Sequence, residues 1–100
     1  MSRYKTIETQ FRTLQSILAA LADLGYTKDQ VQVAPNPKIA TLPMYGYHGD
    51  LRPEKASICI ARQHIGSASN DVGFVWNGNS YAAIISEFDM HAYYKTSMNV

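Results

Sequence analysis

The chain has 100 residues, 46% of them hydrophobic, and nine basic against eight acidic side chains give a formal net charge of +1. This is one domain, residues 1–100, with a single modest core, and it is too apolar for its charge to remain disordered. Interleaving of the two signs, as in Arg3, Lys5, Glu8 and Arg12, leaves no basic stripe to displace phosphate counterions, which argues against sequence-independent nucleic-acid binding.

The single cysteine, Cys59, excludes an intramolecular disulfide framework and fits a reducing compartment. The first residues carry no apolar stretch of the signal-peptide kind, and no apolar run approaches the ~20 residues that span a bilayer. The expectation is a cytoplasmic protein with no membrane partner.

In chain order, the first predicted element is an amphipathic helix over Thr6 to Leu24. Ile7, Phe11, Leu14, Leu18 and Leu21 recur at intervals of three and four. Thr6 is the expected N-cap, and Gly25 sits where a left-handed residue ends the helix. Val31 and Val33 mark a short strand that Pro35-Asn36-Pro37 terminates. Residues 38–53 read as a long loop or an irregular edge segment, punctuated by Gly46 and Gly49. From Ala56 the period becomes two, with Ile58 and Ile60 on one face and Ser57, Cys59 and Ala61 on the other. A polar turn over Gly66 to Asp71 follows, in which Asn70-Asp71 is expected to fold back on its own backbone.

Val72–Trp76 and Ser80–Glu87 are two further strands. Asn77-Gly78 between them predicts a two-residue type I′ hairpin, which would set Trp76 opposite Asn79, Phe74 opposite Tyr81 and Val72 opposite Ala83. The tail from Asp89 is polar and tyrosine-rich. The fold class is α+β, with one amphipathic N-terminal helix on a small, mostly antiparallel sheet of three to four strands.

Chemistry-bearing residues are sparse. His48, His64 and His91 lack the close spacing of a zinc site, so no metal is predicted. Cys59, inside an alternating strand with no adjacent charge, reads as a small core residue. The Gly66–Asp71 segment lacks the lysine and second glycine of a phosphate-binding loop. No cofactor is implied.

Two places stand out as candidate binding residues. One is the segment Tyr45-Gly46-Tyr47-His48-Gly49-Asp50-Leu51-Arg52, where Tyr45, Tyr47, His48, Asp50 and Arg52 concentrate aromatic and ionisable groups on a loop. The other is Trp76, which would be a protein-binding anchor if exposed and a structural residue if packed beneath its turn.

Several stretches, in order, resemble one family. They are Thr6-Ile7-Glu8-Thr9-Gln10-Phe11-Arg12, Ala22-Asp23-Leu24-Gly25-Tyr26, Tyr45-Gly46-Tyr47-His48-Gly49 and Asp71-Val72-Gly73-Phe74-Val75-Trp76-Asn77-Gly78. Over about its first ninety residues the chain is similar to the conserved hypothetical chloroplast reading frame thirty-five family of algal plastids, cyanobacteria and some of their phages. The resemblance implies a photosynthetic or phage setting and brings no catalytic residue with it. Members of that family continue past the last strand into a further helix and strand, so the resemblance implies a sheet with an uncovered face or open edge here.

An uncovered face or edge invites a partner. The functional expectation is a non-enzymatic interaction or regulatory module that binds a protein or a second copy of itself. The alternative is a small ligand-binding protein or enzyme that uses Tyr47, His48, Asp50 and Arg52. Binding of nucleic acid would require Arg3, Lys5, Arg12, Arg52 and Arg62 to converge.

Overall fold

A computed structural model describes residues 4–65 and 69–86 of the chain. Gly66 to Ala68, the strand end at Glu87, Arg3 and the tail with His91 lie outside the described residues.

Among the described residues, seven strands and two helices run in the order β1 (Tyr4–Ile7), α1 (Leu14–Asp23), β2 (Val31–Val33), β3 (Leu42–Tyr45), β4 (Leu51–Ala56), β5 (Ile58–Ile60), α2 (Arg62–Ile65), β6 (Val72–Trp76) and β7 (Tyr81–Ser86). Five strands form one antiparallel sheet, ordered β1-β7-β6-β5-β2, and β3 pairs with β4 in a second sheet. The class is α+β, as the sequence predicts. The expected count of three to four strands and one helix is corrected to five plus two strands and two helices, of which α2 is a single turn.

The predicted helix begins seven residues too early. Ile7 fits the apolar stripe, yet residues 4–7 form an edge strand in which Ile7 faces Ala83. Residues 8–13 cross to the helix and are tied to the start of β7. Phe11 accepts the Tyr81 N–H at 2.8 Å, and the Thr9 hydroxyl bonds the Tyr81 carbonyl. Thr13, not Thr6, is the N-cap, in extended backbone with its Oγ1 accepting the Ser16 N–H at 3.1 Å. The C-terminal expectation holds. Gly25 has φ +99°, and Tyr26 N–H reaches the Leu21 carbonyl while Gly25 N–H reaches that of Ala22, the paired bonds of a Schellman motif.

Period-two alternation sorts the sheet into two faces. Ile58, Ile60, Val72, Phe74, Tyr81 and Ile85 pack with Ile17 and Leu21 of α1. Cys59 and Ile84, on the opposite face, pack with Met44 and Ala56 of the β3–β4 hairpin. The sheet therefore has a layer on each side, and the expected uncovered face carries the segment that reads as a loop or irregular edge in the sequence. Pro43 and Pro53 both lie within that hairpin. Proline is tolerated there because a two-stranded sheet has only edges, where a missing N–H breaks no second ladder.

Hairpin β6–β7 turns through four residues, not two. Trp76 pairs with Tyr81 and Phe74 with Ala83. Of the turn residues only Gly78 has positive φ, and the Asn77 side chain accepts the N–H groups of Asn79 and Ser80 at 2.9 Å each. Because the register moves by two, every side chain keeps its predicted face. The aromatic pair across the strands becomes Trp76–Tyr81, edge to face with centroids 5.1 Å apart.

Candidate functional site

The β3–β4 turn gathers five of the six predicted site residues. Tyr45 and Leu51 face each other across the strands, beyond an irregularity in register after Pro43. Gly46 N–H bonds the Asp50 carbonyl at 2.8 Å and Gly49 N–H bonds the Gly46 carbonyl at 2.9 Å, closing a tight turn in which Gly49 has φ +78°. The Asp50 carboxylate lies over Gly46, so that a Cβ there would come within 2.6 Å of an Asp50 oxygen and push that side chain aside. Tyr45, Tyr47 and Leu51 are 42%, 46% and 66% exposed. The His48 ring leans on that of Tyr47, with centroids 4.0 Å apart.

Asp50 is exposed, and its carboxyl is held below the ordinary carboxylate range. The backbone hydrogen bond of Asp50 is the largest cause, opposed by desolvation and helped by Arg52 and His48. Arg52 lies on the inner side of β4. Its guanidinium is 3.4 Å from Asp50, 3.9 Å from Glu54 and 5.3 Å from the Tyr4 ring centroid. No hydrogen bond joins His48 to Asp50 among the described residues, and both residues are exposed at the tip.

The sixth predicted residue, Trp76, lies apart from this turn. It is half-buried against the helix-side core, with the Lys38 ammonium 5.2 Å from its ring.

What fixes the turn is a pair of residues that the sequence reading assigns to a local turn. Asn70 and Asp71 reach across to the hairpin backbone. Asp71 Oδ2 accepts the Tyr45 N–H at 2.9 Å, Asp71 N–H returns a bond to the Tyr45 carbonyl at 3.0 Å, and Asn70 Oδ1 accepts the Tyr47 N–H at 2.9 Å. Tyr4 adds its hydroxyl to the Asp71 carbonyl at 2.8 Å. Residue type was the available signal, since Asn and Asp are efficient acceptors for backbone N–H. Their partners, 23 and 26 residues away, leave no trace in a local pattern.

Asp71 also faces a cleft of about 340 Å³ whose lining includes Gln32, Tyr45, Cys59, Arg62 and Gln63. Its Oδ1 accepts the Arg62 backbone N–H at 2.7 Å, and the Cys59 sulfur is 4.0 Å from Oδ2. The thiol is pushed up to about 12, first by burial and second by the Asp71 charge. That makes it a neutral core group, not a nucleophile. No group of three or more metal-ligating side chains occurs among the described residues, and none of their helices is long and apolar enough to cross a membrane.

No family model matches the chain, and neither a curated protein nor a solved structure does.

Proposed function

We propose that this chain is a non-enzymatic interaction module that presents the β3–β4 turn to a protein partner. The observation that carries this reading is the combination of Tyr45, Tyr47 and Leu51, all exposed, with a turn backbone held from the sheet by Asn70 and Asp71. Tyrosine supplies contact area at small entropic cost, and a backbone ordered before binding lowers that cost further. Protein is favoured over nucleic acid because Arg52, the turn's own cation, is engaged by Asp50, Glu54 and the Tyr4 ring. The resemblance of the ordered motifs to the chloroplast reading frame family is the ground for proposing a cyanobacterial, plastid or phage setting. The alternative, chemistry at His48 and Asp50, lacks the hydrogen bond and enclosure that proton transfer needs.

The test is affinity capture from a cyanobacterial lysate with the wild-type chain and with Tyr47→Ala and Leu51→Ser, identified by mass spectrometry and repeated with the purified partner. Both residues are surface-exposed, so thermal unfolding should stay near that of wild type. A defined partner whose affinity falls about tenfold or more in either variant is expected. A partner held equally by all three proteins, or a salt-sensitive shift with RNA or DNA, would sink the reading.

A further inference from the structure

Buried charges are expensive unless an opposite charge answers them. Asp71 is only 5% exposed, and no Lys, Arg or His side chain forms an ion pair with it among the described residues. Two backbone N–H groups and the Cys59 thiol take three of the roughly four acceptor positions a carboxylate offers, which leaves one on Oδ1. Arg62 lies in the same cleft, half-buried. Its guanidinium has no hydrogen-bond or ion-pair partner among the described residues, although its own backbone N–H sits on Asp71. One cleft is thus lined by an acidic and a basic residue that form no ion pair with each other.

We propose that this cleft binds a small zwitterion of the α-amino-acid type. The ammonium group is received by Asp71 Oδ1, and the carboxylate is received by the forked donors of Arg62. An anion alone would meet the Asp71 charge, and a cation alone would meet Arg62. Only a ligand with both charges satisfies both walls. Tyr45, Gln32 and Gln63 add an aromatic and two amide side chains to the lining. About 340 Å³ falls within the range of small-molecule sites. The cleft borders the turn at Tyr45 and Gly49, and Asp71 also holds the turn backbone, but Arg62 takes no part in the protein-binding reading, so Arg62→Gln tests the two separately.

The experiment is a titration of the full ¹⁵N-labelled chain with glycine, L-leucine and L-glutamine, read by amide chemical shifts. Isocaproate and isoamylamine, the leucine analogues without the amine and without the carboxylate, are titrated in parallel. The expected result is a saturable shift of the Cys59, Arg62, Gln63 and Asp71 amides by at least one amino acid, with both leucine analogues about tenfold weaker than leucine or more. Arg62→Gln should weaken the binding by about the same factor while its spectrum stays that of the folded protein. Asp71→Asn also loosens the hairpin, so Arg62→Gln carries the test. The proposal is overturned if none of the three amino acids produces a saturable shift at concentrations on the order of 10 mM. It is equally overturned if isocaproate binds as well as leucine, or if Arg62→Gln binds like wild type.

Discussion

Cys59 and Asp71 form a buried pair in which the carboxylate helps to keep the thiol neutral. The Asp71 charge adds to burial in lifting the thiol from an ordinary 9.0 to about 12. As pH rises past 9 the unfolded chain loses the thiol proton while the native chain keeps it, so the unfolded state binds fewer protons. The stability linked to Cys59 is therefore present in full below pH 9 and lost as pH climbs toward 12, by up to about 1.4 kcal/mol per pH unit. Urea unfolding from about pH 8 to about pH 11 should show this decline in wild type and a shallower one in Cys59→Ala. Burial raises the Tyr81 hydroxyl too, with the same sign, so some slope should survive in the variant above pH 10. Identical slopes in the two proteins would refute the assignment. At this scale alternation alone places Cys59 in the core. The role of Asp71 is not legible, because its two backbone partners are 26 and 9 residues away.

At the scale of elements, legibility follows how local the stabilising bonds are. The end of α1, set by Gly25 within one turn of chain, is read correctly. Strand β1 is missed because its bonds go to β7, and the Ile7–Phe11 spacing then imitates a helix. Hairpin β3–β4 is legible only as a loop or an irregular edge segment, because Pro43 and Pro53 argue against regular strands unless the sheet is known to have only edges. Its seat on the large sheet is at Gly73, which pairs with Cys59 and Ile84 beneath the hairpin. A Cβ at position 73 would lie 2.7 Å from the Ala56 Cβ and 2.8 Å from the Met44 sulfur. Met44 can swing aside, but the Ala56 Cβ is fixed to backbone. Gly73→Ala should cost about 1–3 kcal/mol, read as a lower urea midpoint with an unchanged m-value. In an Ala56→Gly background the same substitution should cost less, with a coupling of about 0.5 kcal/mol or more. An equal cost in both backgrounds would place the strain elsewhere.

For the whole molecule, the three layers are unequally secured. Strands β6 and β7 have hydrogen-bonded neighbours on both sides, while β3 and β4 have only each other. Backbone opening of the hairpin should therefore need less free energy than opening of the central strands. Asn70 bridges the two parts. Its Oδ1 accepts the Tyr47 N–H, and its Nδ2 donates to the Ser86 hydroxyl at 3.0 Å on β7. Replacing it with alanine leaves that N–H without its acceptor, a loss of about 1–3 kcal/mol where the group is shielded from water. Native-state hydrogen exchange of Asn70→Ala should accelerate about tenfold or more at the Tyr45, Tyr47 and Gly49 amides. The amides of Phe74 and Ala83 should follow only the smaller change in global stability. Equal acceleration everywhere would mean that the hairpin and the sheet open as one unit. Because the proposed partner surface depends on a turn ordered before binding, the variant should also bind that partner more weakly than wild type, with Tyr45, Tyr47 and Leu51 all still in place.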